Sequence, residues 1–130
     1  MKQDKKGRVQ LGRKAEQLVA DFYEEKLGFE LIHQNLRLGP YEIDLVVEKQ
    51  EQIRIIEVRS SQRSTTHELA WTLVGKKTRS LKKGIRAMQK RGLLRSEQQF
   101  QVDAAFVQWL PSSLWSLDIW YNILPADLGG

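Results

Sequence analysis

Two carboxylates interrupt apolar segments in the middle of the chain, where they could do chemistry together. Asp44 lies in the segment 41–48 and Glu57 in the segment 52–60, and both segments are rich in Ile, Leu and Val. Such segments are typical of strands, and the polar stretch "KQEQ" between them is short enough for a hairpin. Because side chains alternate along a strand, Glu57 and Arg59 share a face, and Asp44 on the neighbouring strand could point to the same side.

A pair of carboxylates in a partly dry place favours a divalent cation. The two negative charges repel each other, so at least one group would tend to take up a proton unless something compensates them. Mg²⁺ or Mn²⁺ removes that conflict, since either ion accepts carboxylate oxygens as ligands. Such an ion orients water, lowers its pKa and stabilises charge on a phosphate, which suits phosphodiester hydrolysis. Glu16, in the first predicted helix, could complete the cluster, although most helix glutamates are merely solvated.

The simpler interpretation of the same acids is structural. Asp44 and Glu57 could each form a salt bridge with Arg37, Arg54 or Arg59. The role of Arg37 is itself open between pairing with an acid and touching a phosphate. The residues alone therefore leave a metal site and a set of ion pairs as alternatives.

The second predicted helix carries an unbroken run of positive charge. No acid occurs between Glu68 and Glu97, whereas a solvated helix usually alternates acids and bases at i,i+4 spacing. The formal net charge of +5 weakly favours a polyanionic partner, and two lysines stand at the helix start, where backbone amides also favour anions. We therefore expect a phosphate-binding surface rather than a merely solvated face. The candidate nucleic-acid contacts are Arg13, Arg37, Lys76, Lys77, Arg79 and Lys83.

The periodicity of apolar residues predicts five strands and two helices in one domain covering residues 1–130. The predicted helices are 9–27 and 73–91, and the predicted strands are 29–37, 41–48, 52–60, 100–110 and 114–124. Residues 1–8 are expected to form a flexible basic arm, and the polar segment 61–72 a loop that could be mobile. Three consecutive antiparallel strands exclude a doubly wound sheet, so we expect an α/β fold with a mixed β-sheet flanked by helices.

Composition excludes several classes of protein. Cysteine is absent, which removes disulfide frameworks and thiolate metal sites and fits a cytoplasmic protein. The N-terminus lacks the apolar run of a signal peptide, and no segment approaches the ~18 apolar residues of a membrane span. No Walker loop or dinucleotide fingerprint is found, His33 and His67 lack metal-ligand spacing, and Asp103 is expected to be structural.

Four segments together resemble the YraN-like family of small bacterial proteins. They are "LGRKAE", "NLRLGPYEIDLVV", "IIEVRS" and "GKKTRSL", and the resemblance covers roughly residues 11–107. That largely uncharacterised family is grouped with the PD-(D/E)xK nuclease superfamily and is similar to archaeal Holliday-junction resolvases. The resemblance implies a restriction-endonuclease-like core with the element order helix, three strands, helix and strand.

The resemblance also implies roles for individual residues. The family's helix acid falls on Glu16, the aspartate of its "GEID" motif on Asp44, and the glutamate and lysine of its "E-V-K" motif on Glu57 and Arg59. Arginine keeps the charge that stabilises a phosphate but does not easily release a proton, so this substitution puts water activation in question. Two further departures are Tyr41 for the glycine of "GEID" and Leu36 for the tryptophan of "N-W-R".

Residues and resemblance together predict a Mg²⁺- or Mn²⁺-dependent endonuclease acting on DNA, including branched DNA such as a Holliday junction. Glu16, Asp44 and Glu57 would hold the metal ion, and Arg59 would stabilise the scissile phosphate. Resolvase relatives act as dimers, so a homodimer is expected by analogy. The alternative is a non-catalytic nucleic-acid-binding module on the same fold, and a protein-interaction domain is a third interpretation.

Overall fold

In the computed structural model, a five-stranded sheet carries helices on both of its faces. The structure describes residues 5–73, 75–95 and 97–124, without the side chains of Lys5, Lys6, Arg8 and Lys76. Within these residues the helices are α1 (Lys5–Glu25), α2 (Thr66–Trp71) and α3 (Lys76–Lys90). The strands are β1 (Glu30–Leu38), β2 (Tyr41–Lys49), β3 (Gln52–Ser61), β4 (Phe100–Trp109) and β5 (Trp115–Trp120). No helix in the described ranges is long and apolar enough to cross a membrane.

The strand order β1–β2–β3–β4–β5 mixes parallel and antiparallel neighbours. β1, β2 and β3 form an antiparallel meander, and β5 runs antiparallel to β4. β3 and β4 run parallel from the pair Ile53–Phe100 to the pair Ser61–Gln108, and α2 and α3 supply the crossover that parallel strands require. The prediction of a mixed β-sheet flanked by helices is therefore confirmed.

The apolar core is divided between the two faces of the sheet. Along β4 the side chains alternate, since Val102 packs with the residues of α3 whereas Ala105 and Val107 pack with those of α1. The buried stripe of α3 consists of Leu81, Ile85 and Met88, at the i, i+4, i+7 spacing of one helix face. The buried stripe of α1 consists of Ala15, Val19, Ala20 and Tyr23. The sheet therefore separates the core packed against α1 from the core packed against α3.

The sheet opens between β2 and β3. Their ladder of paired residues ends at Leu45–Ile56, although β3 continues to pair with β4 along the rest of its length. Beyond that point the backbone N–H of Val58 donates its hydrogen bond to a carboxylate oxygen of Asp44, at 2.8 Å, instead of to a strand carbonyl. We call this divergence of β2 and β3, with Asp44 and Glu57 on its two sides, the strand fork.

Several element boundaries differ from the sequence prediction. α1 begins at Lys5, four residues before the predicted helix start at Val9, and residues 1–4 of the predicted arm lie outside the described residues. The predicted loop 61–72 contains α2, where Thr65 and Glu68 form a capping box at the N-terminus. The helix predicted at 73–91 is shorter in the structure, where α3 begins at Lys76. The predicted strand 114–124 is also shorter, because β5 ends at Trp120.

Candidate active site at the strand fork

Glu57 is a buried acid, with only 3% of its surface exposed. Two cations compensate its charge. The Lys77 ammonium, from the first turn of α3, lies 3.1 Å from Glu57 Oε1, and the Arg59 guanidinium lies 3.6 Å from the same oxygen. Because a buried carboxylate without a cationic partner is strongly destabilising, these two contacts make the burial of Glu57 tolerable.

Asp44 lies across the fork from Glu57 and is less well compensated. Burial raises the pKa of Asp44 from its ordinary value of 3.8 to about 7, and repulsion from Glu57 and Glu16 acts in the same direction. The hydrogen bond from Val58 and the charge of Lys77 oppose this rise in the pKa. Asp44 is therefore partly protonated near neutral pH, and a bound cation would favour its charged form.

Glu16 reaches the fork from α1. Burial raises the pKa of Glu16, and repulsion from Glu42 and Glu57 raises it further, whereas a hydrogen bond from the Asn35 side chain and the charge of Arg13 lower it. The carboxylate oxygen Oε2 is buried and has no hydrogen-bond partner among the described residues. Buried polar atoms are nearly always partnered in folded proteins, so this oxygen is a position that a cation or a water molecule could bind.

The backbone is distorted where these groups meet. Asn35 lies between the paired positions Gln34–Leu45 and Leu36–Ile43 of β1 and β2, and its φ of 53° is in the left-handed region. Strict alternation predicts that Ile43 and Leu45 share a face, and this prediction is wrong, because Ile43 packs with the residues of α3 and Leu45 with those of α1. Asparagine tolerates a left-handed backbone better than most residues. The irregular stretch thus brings Asp44 into the fork and the Asn35 amide to Glu16.

The three acids predicted as metal ligands are brought close enough to influence one another. Glu57 repels both Glu16 and Asp44, and Glu16 repels Asp44. Among the described residues, however, no set of three or more His, Cys, Asp or Glu side chains is already gathered into a metal-binding arrangement. The role of the three acids as ligands therefore stays a prediction. An open cleft of about 410 Å³ adjoins Glu16 and is lined by Val9, Gly12, Arg13, Asn35 and Glu42.

The predicted phosphate contacts on α3 differ in their surroundings. Arg79 and Lys83 are exposed on the helix surface, where a phosphate backbone could reach them. Lys77 contacts Glu57, while its side chain remains partly exposed to solvent. The side chain of Lys76, the remaining predicted contact on this helix, lies outside the described residues.

The other predicted cations lie around the acids. Arg13 is exposed on α1, and its positive charge acts on Glu16. Arg37 forms an exposed ion pair with Glu42 at 3.3 Å, a type of contact that contributes little to stability. Arg59 is largely buried, and its Nε has no hydrogen-bond partner within the described part of the chain.

Two features of this site are absent from the sequence prediction. Asn35 appears there only as part of a motif, because nothing in the sequence indicates its left-handed backbone. Lys77 is predicted as a phosphate contact, and its contact with Glu57 depends on how α3 packs against the sheet. The only available signal for Lys77 is its position at the start of a basic helix.

The fold and the fork define the class of this protein: an α/β protein with a mixed sheet, three mutually repelling acids at a strand fork and a basic helix beside them. A family model described as "Uncharacterised protein family UPF0102" matches residues 15–107, which include all three acids, and the chain belongs to this family. The predicted membership of the YraN-like family is thereby confirmed. A search of the curated proteins found no match.

Proposed function

We propose that this protein is a Mg²⁺- or Mn²⁺-dependent endonuclease that acts on DNA, with the strand fork as its active site. The observation that carries the proposal is the approach of Glu16, Asp44 and Glu57, from three separate elements, to within one another's electrostatic influence. Ionisable groups perturbed in this way by burial and by like charges are concentrated in functional sites. The basic helix α3 borders the same fork through Lys77, so a surface attractive to phosphate lies beside the acids.

The donor set at the fork suits a hard divalent cation. All three groups offer carboxylate oxygens, which Mg²⁺ and Mn²⁺ prefer as ligands. Glu16 Oε2 is buried without a partner among the described residues, and Asp44 is held partly protonated, so both would gain from a cation. Lys77 and Arg59 both make their closest approach to Glu57 at its Oε1 atom. When bound, the ion would lower the pKa of a water molecule and stabilise charge on the phosphate.

Since the acids are not already gathered around one point, binding a metal ion would require their side chains to move. Glu57 is held by two cations, whereas Glu16 has one oxygen free of hydrogen bonds within the described residues. We therefore expect Glu16 to move most. The open cleft beside it offers room for that movement.

Other residues of the chain would bind and position the DNA. Arg79 and Lys83 on α3, together with Arg13 on α1, are exposed cations that would contact phosphates without reading base sequence. Arg59 and Lys77 hold positive charge next to Glu57, where the scissile phosphate would lie. Their charges would oppose the negative charge that develops on the phosphate during attack.

The resemblance to the PD-(D/E)xK nuclease superfamily narrows the proposal. Its restriction-endonuclease-like core has the element order helix, three strands, helix and strand, and the mixed sheet of this chain is compatible with that order. Similarity to archaeal Holliday-junction resolvases favours branched DNA over RNA, and it favours a homodimer. These finer statements rest on analogy between folds.

The proposal is tested by incubating the purified protein with Mn²⁺ and labelled four-way-junction, single-stranded and duplex DNA. We expect nicking that EDTA abolishes and that is lost in Asp44→Ala and Glu57→Ala, because each variant removes a ligand oxygen. Glu24→Ala, which removes an exposed acid of α1, is the matched control and should nick like the wild type. Absence of Mn²⁺-dependent nicking on all three DNA forms would refute the proposal.

A non-catalytic nucleic-acid-binding module is the second candidate. It is favoured by one observation, that Lys77 and Arg59 already neutralise Glu57 without a metal ion. This candidate predicts a salt-dependent gel shift that survives Asp44→Ala and Glu57→Ala, with no cleavage by any form of the protein. A protein-interaction domain predicts neither cleavage nor a gel shift.

A further inference from the structure

Two cations lie beside Glu57, and either could take the role of the lysine in the family's "E-V-K" motif. Counting along β3 assigns the catalytic cation to Arg59, two residues after Glu57. α3 brings a second cation, Lys77, to the same carboxylate oxygen from a different layer of the fold. We propose that Lys77, rather than Arg59, is the cation that acts with Glu57 on the scissile phosphate, an inference that rests on the proposed nuclease function.

The two contacts with Glu57 differ in kind. The Lys77 ammonium lies 3.1 Å from Oε1, which is a hydrogen-bonding distance, whereas Arg59 lies 3.6 Å away, which is too far for a hydrogen bond. The Lys77 side chain is 39% exposed and the Arg59 side chain 28%. Lys77 thus combines the closer contact with the more exposed side chain, and in this proposal its ammonium contacts both Glu57 and a phosphate arriving from solvent.

The chemistry of the two side chains also favours Lys77. An ammonium is a compact point charge with three rotatable donors on a flexible stem, whereas a guanidinium is a bulkier planar fork. Arg59 in addition has a buried Nε without a hydrogen-bond partner among the described residues. In this assignment Arg59 compensates the charge of Glu57 from within the protein, and Lys77 acts at the surface that faces DNA.

The start of α3 is built to place Lys77 at the fork. Gly75 precedes the helix with a φ of 71°, a backbone conformation that residues with side chains rarely adopt. One residue into the helix, Lys77 reaches Glu57, while the buried stripe beginning at Leu81 fixes the helix on the sheet. The contact is therefore set by the backbone geometry before α3 and by the packing of its second turn.

The first experiment separates chemistry from DNA binding. Lys77→Ala and the control Lys26→Ala, which removes an exposed lysine just after α1, are compared in Mn²⁺-dependent nicking over a range of DNA concentrations. We expect Lys77→Ala to lower kcat by about 100-fold or more, the size typical of losing a group that acts in the transition state. An effect confined to KM would mean that Lys77 only grips the DNA backbone, and this would overturn the proposal.

The second experiment asks whether an ammonium beside Glu57 is what the site needs. In the double variant Lys77→Ala, Arg59→Lys, a lysine stands two residues after Glu57 on the same strand face. We expect this variant to recover at least about tenfold of the kcat lost in Lys77→Ala, since a cation then again approaches the same carboxylate. A double variant no more active than Lys77→Ala would overturn the proposal.

The third experiment needs neither metal nor activity. A double-mutant cycle of Lys77→Ala and Glu57→Gln is measured by urea unfolding in EDTA. We expect Lys77→Ala to raise the unfolding equilibrium constant about tenfold more in the wild type than in the Glu57→Gln background, because contacting charges couple. Additive effects would show that the contact is not formed and would overturn the proposal.

A wild-type protein that never nicks DNA would instead refute the nuclease function, whereas nicking that persists fully in Lys77→Ala would refute only the role of Lys77.

Discussion

Replacing Asp44 by asparagine should make the metal-free protein more stable at alkaline pH. The asparagine side chain would keep an oxygen that accepts the hydrogen bond from Val58, now made to Asp44 at 2.8 Å, but would carry no charge. The charge of Asp44 is unfavourable because the group is buried and because Glu57 and Glu16 repel it. The substitution therefore removes the repulsion while keeping the bond that ties β2 to β3.

The sign and size of the effect follow from the pKa of Asp44. The folded protein holds the Asp44 proton with a pKa of about 7 against an ordinary value of 3.8, so it binds protons more tightly than the unfolded chain between these pH values. The contribution of Asp44 to the free energy of unfolding therefore falls as the pH rises from about 4 to about 7. Each pH unit corresponds to about 1.4 kcal/mol, which sets a ceiling of about 4 kcal/mol. Because Asp44 is partly exposed to solvent, we expect a gain of about 1–3 kcal/mol in Asp44→Asn at pH 8.

The assay is urea unfolding of both proteins in EDTA at pH 8 and at pH 4.5. The stability difference should be largest at pH 8 and should shrink toward zero at pH 4.5, where Asp44 is protonated in the folded wild type. Asp118→Asn, on the exposed face of β5, is the control and should show no such dependence. Adding Mn²⁺ at pH 8 should stabilise the wild type more than Asp44→Asn. A variant that is equally or less stable than the wild type at pH 8 would refute the burial and repulsion assigned to Asp44.

Two further predictions concern the scaffold that holds the site. Tyr23→Phe should lower the free energy of unfolding by about 1–3 kcal/mol in urea titrations, because it removes a 2.6 Å hydrogen bond to the fully buried Asp103, and an unchanged stability would contradict this. Gly12→Ala should stabilise α1 by about 0.5–1 kcal/mol, since a Cβ there meets no atom within 4 Å. Gly84→Ala should show no such gain, because its Cβ would lie 3.1 Å from buried Ile43 Cδ1, and equal gains in the two thermal melts would contradict this reading of the packing of α3.

The strands were the most predictable part of the fold, because their apolar residues dominate the core on both faces of the sheet. The errors fall where burial is weak. The first turn of α1 is polar, so no apolar stripe marks the helix before Val9. α2 is six residues long with a single buried side chain, Leu69, so periodicity could not find it. Its capping box, with Thr65 and Glu68 three residues apart, was the readable signal.

The part of the site that could be predicted consists of the acids that interrupt the apolar pattern of the strands. Asp44 and Glu57 are recognisable because acids are out of place in apolar strands. The partners of these acids were not predictable, because they depend on how separate elements pack. Lys77 lies twenty residues after Glu57 in the chain, on a different element. Asn35 contacts Glu16 from a left-handed backbone conformation, which regular alternation along a strand does not predict.

A buried acid elsewhere in the protein shows what a structural carboxylate looks like in this fold. Asp103 on β4 is fully buried. Its partners are the Tyr23 hydroxyl, the Gln101 amide, the Asn122 backbone N–H and the Arg54 guanidinium. Asp44 and Glu16, by contrast, are partly buried, repel each other and have pKa values raised above the ordinary range. Asp103 shows that this fold can supply a fully buried carboxylate with partners for both oxygens. The unfavourable charge of Asp44 and Glu16 is therefore particular to the strand fork and is not a necessary result of burial. A bound cation would remove that unfavourable charge.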